Sequence, residues 1–390
     1  MVDILIDFSY EFLKAIGRLL INPLFYWFFI LTYLVSARRV AKERRYFGHK
    51  IFSIFDEWYG EKIMGLFYGM LVSLLLMVVG VVIPPLMLTS LIVVTFILSF
   101  PRRIKYLSSV YVFGTAAFVL LFLPLYESYL PDLLSAPIEV IDWVSFTTLM
   151  GIFLIIETVM LRRVKEDQTF PETFIGARGK TLGQHRIKRM TLMPLLLLWP
   201  TGDLTMITDW WPLVDSNPGE FGLILFPVIL GFNYVVKSQL PLKFAKRYSN
   251  QLMILALIII SVSLVGYFIP IFSLISIVIA ILGRALLDYR VKVKDQQQPI
   301  YFQPTPLGLR VLAVVPQSPA TDMGILAGDV IRKVNGVSVH STNDFYHALQ
   351  RNLAFCKLDV LDEYGEVRFC QRAYYQGEHH KLGMVFVEAE

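Results

Sequence analysis

Apolar residues along this chain gather into long runs separated by short polar stretches. The runs fall at 16–36, 63–83, 86–101, 106–126, 143–161, 190–207, 221–237, 251–269 and 271–288. Most approach the roughly 20 residues that a helix needs to cross a bilayer. The pattern predicts about 8–9 transmembrane helices within residues 16–290. The 86–101 run is short, but a tight Pro84–Pro85 turn ties it to its predecessor. Pro270 repeats that arrangement between the last two runs, as a weak internal duplication would. Pro194, Pro200, Gly202 and Asp203 interrupt the 190–207 run, which reads as a half-helix or re-entrant segment. Ahead of the first run, Asp7, Glu11, Lys14 and Arg18 recur at helical spacing among Phe8, Phe12, Leu13 and Ile16. This predicts an amphipathic helix over 1–15 lying in the membrane interface.

The pattern changes near residue 295. The stretch RVKVKDQQQ (290–298) precedes Pro299, and residues 291–303 read as a linker. Beyond it, Val311, Val314, Val315, Ile325, Val330, Ile331, Val334 and Val337 alternate with polar residues and glycine, as in short strands. Residues 341–351 carry helical spacing at Phe345, Ala348 and Leu349. Leu353–Leu361 and Val367–Tyr374 flank a turn at Gly365, and Lys381–Val387 reads as a last strand. The expected architecture is a polytopic α-helical membrane bundle, followed over 304–390 by a small β-barrel-like domain with one or two helices.

Composition agrees and narrows the class. The 390 residues are 55% hydrophobic and 17% charged, with a mean hydropathy of +0.58. A soluble domain carries about 25% charge. A soluble globular enzyme, a secreted disulfide scaffold and a disordered tail protein are thereby excluded. The net charge of +5 does not point to nucleic acid, because the basic residues sit in loops on one side of the runs. Arg38, Arg39, Lys42, Arg44 and Arg45 follow the first run, and Arg162, Arg163 and Lys165 the fifth. The loops at 127–142 and 202–220 hold no lysine or arginine. The positive-inside rule then places the C-terminal domain in the cytoplasm of a multi-pass cell-membrane protein.

Candidate chemistry is sparse. No HExxH zinc motif, GxSG serine motif, membrane GxGD or Walker A loop occurs, and the six histidines lie outside the apolar runs. No catalytic residue, metal or cofactor is expected. Glu157 is the leading intramembrane ionisable group, one turn from Arg162 and Arg163, and a salt-bridged or snorkelling role suits it best. Arg284 and Asp288, four residues apart, are expected to pair with each other, leaving no buried polar chain. His379 and His380 read as loop residues. Cys356 and Cys370 fall on opposite strands of one hairpin and should stay reduced in a cytoplasmic module. Residues 46–62 suggest an amphipathic helix, either on the inner leaflet or across the bundle, and loop 162–189 offers a docking surface.

Val314–Val337, reading VVPQSPATDMGILAGDVIRKVNGV, closely resembles the bacterial PDZ-domain pattern, with its SPA, GI, GD and NG elements in order. The resemblance implies a peptide-binding groove. Leu307, Gly308 and Leu309 look like the family's apolar-Gly-apolar carboxylate loop. The strand from Leu309 through Val311 would offer an open edge, with Phe345 and Leu349 on the far wall. The layout as a whole, including Asn22-Pro23-Leu24-Phe25-Tyr26-Trp27, resembles the PDZ-bearing cell-division topological determinants of Bacillus-like bacteria. That resemblance implies a non-enzymatic scaffold at the septum and poles, bridging DivIVA to the inhibitor pair MinC and MinD. A protease adaptor, a degenerate PDZ-containing membrane protease and a transporter with a regulatory PDZ are the alternatives.

Overall fold

A computed structural model describes residues 2–48, 50–54, 56–59, 62–100, 104–123, 142–177, 179–204, 221–352, 355–373 and 382–387. The membrane part is built from α1 (Val2–Ile21), α2 (Pro23–Phe47), α3 (Asp56–Tyr59), α4 (Lys62–Val79), α5 (Pro85–Ser99), α6 (Ser109–Phe122), α7 (Trp143–Arg162), α8 (Pro241–Val265) and α9 (Ile271–Gln297). Four of them, α2, α7, α8 and α9, are long and apolar enough to cross a membrane, and α4, α5 and α6 are shorter apolar helices. The apolar runs at 63–83, 86–101, 106–126, 143–161, 251–269 and 271–288 are thus helical over most of their described length.

The runs at 190–207 and 221–237 are not helices. They form the antiparallel strands β2 (Thr181–Leu204) and β3 (Phe221–Val236), with β1 (Thr169–Ile175) on the other side of β2. Met190, Met193, Leu195, Leu197, Phe226 and Ile229 are buried in the same core as the helices. A hairpin buried on both faces reads as a plain apolar run, which is why the pattern imitated two spans. Pro194 lies opposite Pro227, so neither missing N–H interrupts a longer ladder.

Backbone at this depth must be satisfied within the protein. Helix α4 lies against β2, and glycine permits it. A Cβ at Gly65 would lie 2.6 Å from the Leu192 carbonyl oxygen, and one at Gly69 2.7 Å from that of Pro194. Ser73 accepts a hydrogen bond from the Leu196 N–H (2.8 Å) and donates to the Gly69 carbonyl (2.7 Å).

The N-terminal segment also differs from expectation. Helix α1 runs to Ile21, and Asn22 caps α2 with Pro23 in its first turn, so no span covers 16–36. Its charged face turns inward at Glu11, with Lys14 and Arg18 half-buried beside it and Asp7 exposed. Glu11 is fully buried, accepts from the Leu223 N–H (3.2 Å) and pairs with Lys14 (2.7 Å), which also reaches Asp203 (2.7 Å). Phe12, Leu13, Ile16 and Leu20 are exposed instead. Glu11 and Lys14 hold α1 against the end of β2 and the start of β3, and the apolar stripe faces out, opposite to a helix floating at an interface.

A buried polar network ties the bundle together. Arg284 on α9, with no exposed surface, donates to Glu157 on α7 (2.8 Å) and to the Tyr234 hydroxyl on β3 (2.5 Å). Ser108 donates to the other Glu157 oxygen (2.6 Å). Asp288 accepts from Tyr248 and Tyr111 and pairs with Lys105 (3.0 Å). Arg284 therefore has Glu157 as its nearer partner, with Asp288 at 3.6 Å, and a buried polar chain is present where none was expected.

Helix α9 continues through Gln297, so the charged, Gln-rich stretch read as a linker is helical over most of its length. Asp295 clasps it, accepting from the Lys237 and Ser238 N–H groups (3.1 and 2.9 Å). The described residues within 46–62 form no single amphipathic helix. After α2 the chain turns back, Ile51 and Phe52 are buried, and both their N–H groups donate to Glu43.

The C-terminal module holds β4 (Leu309–Val314), α10 (Pro319–Asp322), β5 (Val330–Val334), β6 (Val337–Ser338), α11 (Thr342–Gln350), β7 (Phe355–Leu361), β8 (Val367–Ala373) and β9 (Met384–Phe386). The strand order is β8-β7-β5-β4-β9, with β6 beside β5, an open sheet rather than a closed barrel. The turn glycines behave as the motif requires. Asn335 (φ 49°) and Gly336 (φ 83°) both take positive φ in the tight turn between β5 and β6. Cys356 and Cys370 lie on the paired strands β7 and β8 but face Arg372 and Leu358, and no disulfide joins them.

Candidate peptide-binding site

The six residues expected to line a groove meet in the module, mostly inside it. Leu309, Val311, Phe345 and Leu349 belong to its buried core. Leu307 is exposed at the turn before β4. Gly308 (φ 151°) packs on the next strand, where a Cβ would lie 2.3 Å from the Ile331 carbonyl oxygen. Its small size serves the contact between β4 and β5. Strand β4 has no open edge where one was expected. Leu309 and Arg310 pair with β5, and Val311, Ala313 and Val314 pair with β9.

The outer edge belongs to β9. The Gly383 carbonyl accepts from Val315 N–H (2.7 Å) and Val387 N–H donates to the Arg310 carbonyl (3.2 Å), so these groups point toward β4. By strand alternation, Met384 and Phe386 direct their N–H and C=O groups outward. Among the described residues no strand pairs with that edge. Helix α11 stands beside it, with the Phe345 and Phe386 rings 4.9 Å apart. A capping box fixes the start of α11. Ser341 accepts from Asp344 N–H (3.1 Å), and Asp344 accepts from Ser341 N–H (3.0 Å). The Ser341 side chain and the N–H groups of His340 (3.2 Å) and Ser341 hold the Asp344 carboxyl below its ordinary range.

The turn before β9 repeats the apolar-Gly-apolar signature at Leu382, Gly383 and Met384. Gly383 has φ 81°, and a Cβ there would lie 2.2 Å from that of Ser318. The SPA element explains the contact, because Ala320 N–H donates to the Leu382 carbonyl (2.9 Å). The motif at 318–320 thus anchors the turn that launches the edge strand. That second glycine signature was present in the sequence, but only the pairing of β9 with β4 shows which of the two stands at an edge.

The opposite face of β4 and β9 docks on the membrane part. Leu312, Ala313, Val385 and Val387 pack with Phe302, Phe170, Ile51 and Phe52. His185 on β2 sits in this seam, its ring nitrogens 3.0 Å from the Thr169 hydroxyl and 2.8 Å from the Leu312 carbonyl oxygen, and its ring tilted against Phe302. Burial pulls its pKa down to about 4, against the opposing pull of the Leu312 carbonyl. Loop 162–189, expected as a docking surface, is largely β1 and the base of β2. His379 and His380 lie outside the described residues.

Comparison with known proteins agrees with both parts. A PDZ domain family model matches residues 310–355. The cell division topological determinant MinJ of Bacillus subtilis (strain 168) is 32% identical over 384 residues, covering 98% of this chain and 96% of that protein. A probable cell division topological determinant MinJ of Lacticaseibacillus paracasei is 34% identical over 83 residues, 21% of this chain and 23% of that protein. No solved structure matches.

Proposed function

The chain belongs to the family of the cell division topological determinant MinJ, and from that premise we propose that it is a non-enzymatic membrane scaffold. Its PDZ domain captures an extended segment of a partner by strand addition to β9. The observation that carries this is the outer edge of β9 beside α11, with which no strand among the described residues pairs. Main-chain hydrogen bonds to Met384 and Phe386 supply affinity, and side chains along α11 supply selectivity. The basic loops support a cytoplasmic position for this domain. The partners implied by the family are a DivIVA-like polar protein and a MinC/MinD-like division inhibitor. Holding both at the septum and poles places inhibitor where new septa should not form.

Cross-linked co-purification from native membranes tests this with the intact protein and Met384→Pro, which deletes one outward N–H. Loss of division-site proteins in the variant supports strand addition. Unchanged recovery moves the docking surface to 38–62 or 162–189. Gly308→Asp serves as a different control, because it breaks packing against Ile331 and removes the whole domain from play.

A further inference from the structure

The PDZ sheet has a second end, opposite β9. Strand β8 pairs with β7 on one side, and no strand among the described residues pairs with its other side. The register of the hairpin fixes which backbone groups lie there. Asp362 N–H donates to the Glu366 carbonyl (3.0 Å), which opens the ladder between β7 and β8. Lys357 turns its own N–H and C=O away from β8, toward the Asn335 side-chain oxygen (2.9 Å) and N–H (2.8 Å). By alternation, Arg368, Cys370 and Arg372 bond to β7. Val367, Phe369, Gln371 and Ala373 direct their N–H and C=O groups outward.

This edge lacks the bulges, prolines and outward charges by which sheets discourage pairing. The register runs from Phe355–Ala373 to Leu361–Val367 without a shift. The four residues with outward backbone groups are uncharged, and none is proline. Their side chains share one face of the sheet, where Val367 is 45% and Phe369 68% exposed. Phe355, opposite Ala373, extends that apolar surface, and the Lys357 ammonium stands 5.6 Å from the centre of the Phe369 ring. The cations on the other face are engaged within the domain. Arg368 pairs with Asp329 (2.5 Å) and Arg372 with Asp322 (3.2 Å).

Such a strand complements itself in one antiparallel register, centred on Cys370. Val367 then lies opposite Ala373 of a second copy, and Phe369 opposite Gln371 of that copy. All the outward N–H and C=O groups gain partners, in about eight hydrogen bonds. The two Phe369 rings become diagonal neighbours within reach of each other. Arg368 comes opposite Arg372 of the second copy, a like-charge pair that Asp329 and Asp322 offset on each side. A foreign strand would have to supply a matching uncharged face. A second copy supplies it by symmetry, and anchorage in the same membrane raises its local concentration.

We propose that β8 is a homodimerisation edge, through which two copies of this chain join by antiparallel pairing centred on Cys370. One sheet then continues across both PDZ domains, and β9, at its far end, stays out of the contact.

The register carries its own probe. The two Cys370 residues meet at a non-hydrogen-bonded position, where Cα atoms stand about 4.5 Å apart. A disulfide spans that separation. Native membranes containing the full-length protein are oxidised with copper phenanthroline and resolved on a non-reducing gel. The expected result is a band at twice the 44.7 kDa chain mass, collapsed by reductant and abolished by Cys370→Ser. Val367→Cys in the Cys370→Ser background should give no such band, because Val367 faces Ala373 and the two new thiols stand about 20 Å apart along the strands. Phe369→Lys, at an exposed site, is expected to lower the cross-linked fraction about fivefold by removing two reciprocal cross-strand contacts. Absence of the Cys370 band overturns the pairing. Equal bands from positions 367 and 370 would show random collision and overturn it too. A Cys370 adduct of another mass, in place of the doubled one, would assign the edge to a different protein and overturn the second copy as its occupant.

Discussion

At the scale of single residues, the strongest constraint is the pair formed by Glu157 and Arg284. Neither has meaningful solvent exposure, and each is an expensive group to leave alone inside a bundle. Glu157→Gln keeps shape but strands the Arg284 guanidinium. The expected loss is about 3 kcal/mol or more, read as a lower midpoint of thermal unfolding in detergent. An unchanged midpoint would mean that Tyr234 and Asp288 suffice to hold the arginine. Glu157 stands out in the sequence as a carboxylate in an apolar run. Its partner does not, because Arg284 lies 127 positions away and had a nearer candidate in Asp288. Pairs one helical turn apart can be read from spacing, while those assembled by tertiary packing cannot.

At the scale of elements, the hairpin and its helical sheath stand or fall together. Gly65→Ala forces α4 away from the Leu192 carbonyl, and Ser73→Ala strands the Leu196 N–H in the core. The serine change is expected to cost about 1–3 kcal/mol, and the glycine change more, because beside the Thr191 hydroxyl the new methyl meets the Leu192 carbonyl, a backbone group that cannot rotate aside. Comparing denaturation of the two variants checks the order. The helices with clean apolar runs were legible from the sequence. The β2–β3 hairpin was not, since Leu195–Leu198 and Leu223–Leu225 give no period that separates a buried strand from a helix. Pro194, Pro200 and Gly202 marked the weakness of the helical reading without naming the alternative. The PDZ motif was legible as a motif, yet Leu307–Leu309 and Leu382–Met384 carry the same signature, and only long-range pairing chooses between them.

The seam between sheet and PDZ domain adds a pH dependence. His185 is held neutral, with a folded pKa near 4 below its ordinary 6.5. A depressed histidine contributes stability that is fully present above about 6.5, and that stability is lost as pH falls toward 4. By pH 5 the contact should be weaker by roughly 2 kcal/mol. Lys165, Glu166 and Asp167 line the cavity beside it; burial and neighbouring carboxylates raise the Glu166 pKa, so its negative charge also fades on acidification. Amide exchange at Leu312 and Ala313 should accelerate between pH 7 and pH 5, and His185→Phe should flatten that dependence.

At the scale of the whole molecule, sidedness is the decisive expectation. A cysteine placed at Gly365, on the turn between β7 and β8, should react with a membrane-impermeant maleimide only after cells are opened. Labelling of intact cells would reverse the orientation. The unbroken run of α9 through Gln297 and the Asp295 clasp then set what kind of device this is. A domain on a loose tether searches a sphere, and its partner gains from raised local concentration. Here the domain is held like a bracket on a wall, with its receiving edge at one angle. The rotational freedom a partner would otherwise give up has already been removed by folding, so each capture is directional. Proteins held by many such brackets would be laid down in a common orientation across the membrane surface, and slack introduced after Gln298 would leave single captures intact while scrambling that alignment.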